Sequence, residues 1–146
     1  MKNLAFTFLL VLTCIALQAQ DLKEVQVPVV VKDAFAKGHP GVMVEKWEKE
    51  KNNYEAEYTI NGVEYSLLYD AAGNLLENEV KVPIGDLPQA ATDYISKNYK
   101  TEKIKDVSKI TDASGKIFYE ADLGKKDLIF TEAGVFIKAE KDAEKE

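Results

Sequence analysis

The chain has 146 residues, 30% of them charged, with 25 acids against 19 basic residues and a formal net charge of −6. Every basic residue is lysine, so the bidentate guanidinium clamp of nucleotide and nucleic-acid sites is missing, and the acidic balance argues against nucleic acid or an anionic membrane as partner. One cysteine and one histidine exclude most metal clusters and nucleophilic triads, and the length suits one compact domain or two small units in tandem.

Residues 1–19 read as a secretory signal peptide: Lys2, an apolar run from Leu4 to Leu17, then Gln18-Ala19-Gln20 with cleavage expected after Ala19. The run is shorter than the ~20 residues of a spanning helix. Cys14 could be lipidated, but Val11-Leu12-Thr13 lacks the small residue normally found just before such a cysteine. Removing the segment leaves 18 lysines, 25 acids and no cysteine, so a periplasmic or secreted product must be held by its own core.

The segment from Val27 to Glu79 overlays that from Leu87 to Glu140 as a weak internal repeat. Pro28 falls on Pro88, Gly38 on Asn98, Tyr54-Glu55-Ala56-Glu57-Tyr58 on Tyr119-Glu120-Ala121-Asp122-Leu123, and Gly73 on Gly134. Each copy opens on a helix signal, with proline at the start and Gly38 or Asn98 at the end. Ala91, Tyr94 and Ile95 keep helical spacing in the second copy. Val30, Val31, Ala34 and Phe35 do so less cleanly in the first, where β-branched residues crowd the start.

The period then changes to two. Met43 to Glu50 supplies a strand; Tyr54, Ala56, Tyr58 and Ile60 alternate with acids and threonine; Asn61-Gly62 marks a tight hairpin turn; Val63, Tyr65, Leu67 and Tyr69 alternate again; and Leu75 to Val82 follows Ala72-Gly73-Asn74. Strands over 104–111, 117–123, 127–131 and 135–139 repeat the plan. The expected fold is α+β, two tandem units over 20–83 and 84–140. Each unit is a helix followed by about four short antiparallel strands, with the helices on one face of the sheet and a charged tail over 141–146.

His39 follows a helix end and suits a capping role, with no motif placing a nucleophile and an orienting acid around it. Asp70, Asn74 and Asn78 do not match the twelve-residue calcium loop and read as turn residues. Glu55, Glu57 and Glu64 share one side of the first hairpin and form a patch for a cation or basic partner, unless Lys46, Lys49 and Lys51 balance them. The tyrosines suit the core beneath the helix, with an aromatic platform as the alternative; Trp47 also suits the core and is otherwise that platform's candidate exposed member. Asn52-Asn53 and Asp112 to Gly115 are corresponding turns that could straddle a target. The candidate partner-binding residues are therefore Trp47, Asn52, Asn53, Glu55, Glu57 and Glu64, with no catalytic, cofactor-binding or metal-binding residue.

The leader, the paired units, Pro28 and Pro88, the aromatic-acidic alternation and the Asp70 to Asn74 turn together resemble the PepSY-like proteins described as similar to β-lactamase inhibitors. The resemblance implies an exported, non-catalytic binding module in the periplasm or at the cell surface, acting on an envelope protein. The mature chain lacks the disulfides of the β-lactamase inhibitory proteins, so no inhibitory residue carries over. A small-molecule or cation sensor using the acidic hairpin is the other reading of the residues.

Overall fold

The computed structural model describes residues 20–141; the leader and residues 142–146 of the tail lie outside them. Nine strands follow one another in a single antiparallel sheet whose spatial order is the chain order. They are β1 (Gln20–Leu22), β2 (Lys46–Glu50), β3 (Asn53–Ile60), β4 (Val63–Tyr69), β5 (Leu75–Val82), β6 (Asp106–Asp112), β7 (Ile117–Asp122), β8 (Lys126–Thr131) and β9 (Phe136–Lys141). Helix α1 (Val29–Gly38) lies between β1 and β2, and α2 (Gln89–Asn98) between β5 and β6.

This continuous sheet overturns the expectation of two tandem helix-plus-strand units. Strands β5 and β6, assigned from sequence to different units, pair through six residues, from Glu77 opposite Asp112 to Val82 opposite Val107. The unpaired edge that would have separated the units is used up in a ladder, which removes an exposed pairing surface. The sheet also gains β1, which pairs with Trp47 to Lys49 and has no sequence signal beyond three residues.

Local chemistry explains the elements. Pro28 and Pro88 stand at the N-caps of α1 and α2, where the missing N–H is no loss. The β-branched start does not prevent α1, because Val31 and Phe35 are buried one turn apart, as Ala91 and Ile95 are on α2. Asn61 and Gly62 both take positive φ, 53° and 79°, as a twist-matched hairpin turn requires.

Both helices cover the same face. Under α1 lie Trp47, Ala56, Tyr58, Leu67 and Tyr69; under α2 lie Val107, Ala121, Leu123, Leu128 and Phe130. Cross-strand partners Tyr65–Val80, Val80–Lys109 and Lys109–Tyr119 carry that face from one cluster to the other. Among the described residues, no helix is long and apolar enough to cross a membrane.

Candidate functional site

The face without helices carries side chains that neither core cluster takes up. Alternation from Trp47, Ala56, Leu67, Val107 and Ala121, all pointing at the helices, sends Glu48, Glu55, Ser66, Ser108 and Glu120 the other way. On this face one cavity of about 300 Å³ is lined by Glu50 of β2, Glu55 of β3, Leu68 of β4, Glu79 of β5, Ile110 of β6, Phe118 of β7, Ile129 of β8 and Ile137 of β9, among others. In a flat sheet, seven strand spacings of ~4.8 Å would put β2 and β9 roughly 34 Å apart. Their sharing one cavity means that the sheet curls, with its helix-free side concave. Register shifts at Leu68/Tyr69 and Ile129/Phe130 are β-bulges that raise the local twist.

In an antiparallel meander, every connection after an even-numbered strand lies at one end of the sheet. The Asn52-Asn53 turn, the Asp70 to Asn74 turn, the Asp112 to Gly115 turn and the turn after Thr131 therefore share that end, and the cavity lies toward it. Asp70 accepts hydrogen bonds from the backbone N–H groups of Ala72 (2.8 Å) and Asn74 (2.9 Å) and from the Asn74 amide (2.8 Å). Asp112 accepts likewise from the N–H groups of Ser114 (2.8 Å) and Lys116 (3.0 Å). These carboxylates hold their own turns, and the donors keep both acids below the usual aspartate range.

Electrostatics set the concave face apart. Glu55 accepts a hydrogen bond from the Ser66 hydroxyl, yet burial pushes its carboxyl up to about 7, aided by Glu79, Glu57 and Glu50. Glu120 is pushed up to about 9, first by burial and then by Glu79, Asp127 and Glu140, with Lys81 opposing. Glu77 is raised by burial, Glu50 and Glu79. A half-apolar concavity thus gathers carboxyls where their charge is costly.

Of the residues expected to bind a partner, Glu55 lines the cavity, Glu57 is half-buried beside it and Glu64 is exposed at the far end of β4. Asn52 is exposed and Asn53 half-buried at the β2–β3 turn. Trp47 is not an exposed anchor: only 6% of it is accessible, and its ring meets Phe35 edge-on beneath α1. Charged neighbours in the sequence hid this, because Lys46 and Glu48 occupy the opposite side of the same strand. Carboxylate oxygens of Glu48, Glu55 and Glu57 lie within 4.8 Å of one another, the described trio best placed for a cation. The Lys46 ammonium already pairs with Glu48 there and also reaches Asp21 at 3.3 Å.

Sequence reasoning missed Glu77, Glu79, Glu120, Ile110, Phe118 and Ile129. The signal lies in the repeat, since Tyr119-Glu120 falls on Tyr54-Glu55.

Comparison with known proteins accords with this geometry. A crystal structure of a "putative periplasmic" protein from Bacteroides eggerthii superposes with a TM-score of 0.67 at 15% identity, covering 79% of this chain and 88% of that one. A DUF2874 family protein from Bacteroides uniformis gives 0.66 at 17% identity, covering 82% and 92%. A BLIP-like protein from Bacteroides fragilis gives 0.55 at 25% identity, covering 80% and 87%. No curated protein matches. The family described as "Putative beta-lactamase-inhibitor-like, PepSY-like" matches residues 14–77 and again 76–138, and the chain belongs to this PepSY-like family.

Proposed function

We propose that the protein is an exported, non-catalytic binding module that receives an envelope or periplasmic partner in the concave face of its sheet. The observation that carries this reading is the cavity itself: the helices leave it uncovered, and it alternates glutamates with Leu68, Ile110, Phe118 and Ile129. Apolar patches within a polar rim are how recognition surfaces are built. The periplasmic description of the Bacteroides eggerthii neighbour and the inhibitor-like description of the family support the same reading. Export follows from the leader, and the mature form is expected to begin at Gln20.

A photo-crosslinking residue at Phe118 or Ile137, compared with one at Val29 on the helix side, tests it in intact cells. Adducts to a discrete envelope protein from the concave positions and none from Val29 are expected. Equal labelling from both sides, or an N-terminus that retains the leader, overturns it.

A further inference from the structure

We infer that the free edge of β9 is an interface between two copies of this chain, joined about a two-fold axis at Ala139 into one continuous sheet. The inference does not depend on what the concave face binds.

The internal repeat identifies the kind of edge this is. Ala56 opposite Leu67 and Ala121 opposite Leu128 match β3–β4 to β7–β8, so the Ser66–Glu79 pair on β4–β5 corresponds to Asp127–Glu140 on β8–β9. Strand β9 is therefore the second copy of β5. The outer edge of β5 carries β6 through six pairs, whereas the outer edge of β9 has no strand beside it among the described residues. The ladder shows which groups that leaves. The Leu123 N–H donates to the Lys126 carbonyl at 2.9 Å and the Thr131 N–H to the Val135 carbonyl at 2.9 Å. Asp127 and Ile129 thus turn their backbone groups to β9, where Glu140 and Lys138 meet them. The N–H and C=O of Ala139 point off the sheet, and an unpaired row of this kind is a template for a further strand.

Charge decides which strand it accepts. Head-to-tail addition of β9 to β2 of another copy, the arrangement of β5 on β6, would put Glu140 opposite Glu50, because Glu79 faces Ile110 and Glu50 holds the place of Ile110 in the repeat. The same register sets Lys141 opposite Lys49, and β1 already occupies that edge of β2 from Trp47 to Lys49. Antiparallel pairing of β9 with its own image about Ala139 reverses the signs. Lys138 falls opposite the partner's Glu140, Glu140 falls opposite the partner's Lys138, and the two Ala139 residues exchange N–H···O bonds. Within one copy Lys138 and Glu140 pair at 2.7 Å and stand 43% and 52% exposed, so both are at the surface to be shared. The bulge at Ile129/Phe130 disturbs β9 on its Phe136 side and leaves Lys138 to Lys141 in step. A two-fold contact closes at two copies, where a head-to-tail one would run on as a filament. Ile137, Lys138 and Glu140 also line the concave cavity, so the seam runs along its rim and each β9 extends the other's wall.

The test is sedimentation equilibrium of the purified protein from ~10 μM to ~1 mM, the range of a small interface, with amide exchange at both limits. A monomer–dimer equilibrium is expected, with exchange at Ala139 slowed several-fold at the upper concentration and exchange at Lys138 and Glu140, bonded to β8, unchanged. Ala139→Pro removes the outward N–H from an edge strand, leaves the β8 ladder whole and should abolish the dimer. Lys138→Glu and Glu140→Lys should each be monomeric, since like charges then face across the axis. An equimolar mixture of these two should associate as wild type does, because each then meets the opposite sign. A wild-type protein that sediments as a monomer throughout overturns the inference. So does a dimer that all three variants leave unchanged, which would lie at another surface.

Discussion

Phe35 on α1 and Trp47 on β2 meet edge to face, with ring centroids 6.1 Å apart and planes at 71°, and this contact locks the first helix to the sheet. Phe35 also stacks against His39 at 5.1 Å and meets Tyr58 edge-on at 5.3 Å, so four rings share one cluster. Such pairs add ~0.5–1.5 kcal/mol each beyond burial.

Truncating either partner should therefore be severe. Trp47→Ala is expected to cost roughly 3–5 kcal/mol through cavity formation, read as a lowered urea midpoint. Trp47 is the sole tryptophan, so its emission in the intact protein should be that of a buried indole and shift to the red on unfolding. Emission already at the solvent-exposed position in the folded protein would contradict the core placement.

Gly73 and Gly134 end corresponding turns against the two helices, with φ of 81° and 80°. A Cβ on Gly134 would lie 2.8 Å from the Ala91 amide nitrogen and 2.9 Å from Pro88 Cβ, and one on Gly73 would lie 2.9 Å from the Val30 carbonyl oxygen. Backbone cannot yield as a flexible side chain can. Gly134→Ala and Gly73→Ala are each expected to destabilise by roughly 1–3 kcal/mol, whereas Gly85→Ala, which meets nothing within 4 Å, should be near neutral. Equal effects at all three positions in thermal unfolding would refute the helix-to-turn contact.

The sequence made the local chemistry legible and left the global geometry hidden. Pro28, Pro88 and Asn61-Gly62 act at short range, so the helix starts and the hairpin could be read directly, and Leu75–Val82 appears with the expected bounds. Whether β5 pairs with β6 depends on the free edges of two strands separated by α2, and no residue pattern records that. Trp47 stayed open between core and platform because charges flank it on both sides, although period two already assigns Lys46 and Glu48 to the other face. Glu55 was legible as an acid on a strand; its place in a cavity with Glu120 was not, because that follows from curvature set by two bulges and nine strands.

Asp112 fixes the β6–β7 turn through the backbone N–H groups of Ser114 and Lys116 and the Ser114 hydroxyl at 2.6 Å. Asp112→Ala should lower the melting temperature and accelerate amide exchange at Ser114 and Lys116. Asp112→Asn should retain most of the stability, since an amide oxygen can accept the same bonds. Faster exchange confined to distant strands would show that the turn does not depend on this side chain.

The dependence of stability on pH separates the two kinds of acid. Asp70 and Asp112 are lowered below 3.8 by the donors of their turns, so their contribution is present above that value and is lost as pH falls through their folded-state range. Glu55 and Glu120 are raised from 4.5 to about 7 and about 9, so the folded state holds protons that the unfolded chain has released. Their contribution is complete below about pH 4.5 and is lost as pH rises through the folded-state values, roughly 3 kcal/mol for Glu55 alone by pH 8. Opposed slopes place maximum stability near pH 4–5, below the usual range of about 5–8. Urea unfolding from pH 2 to 10 should show that maximum and a decline across pH 5–9. In the double variant Glu55→Gln, Glu120→Gln the alkaline decline should flatten while the acid limb, owned by the aspartates, stays. A wild-type curve level from pH 5 to 9 would mean that the concave carboxyls are ionised and well solvated.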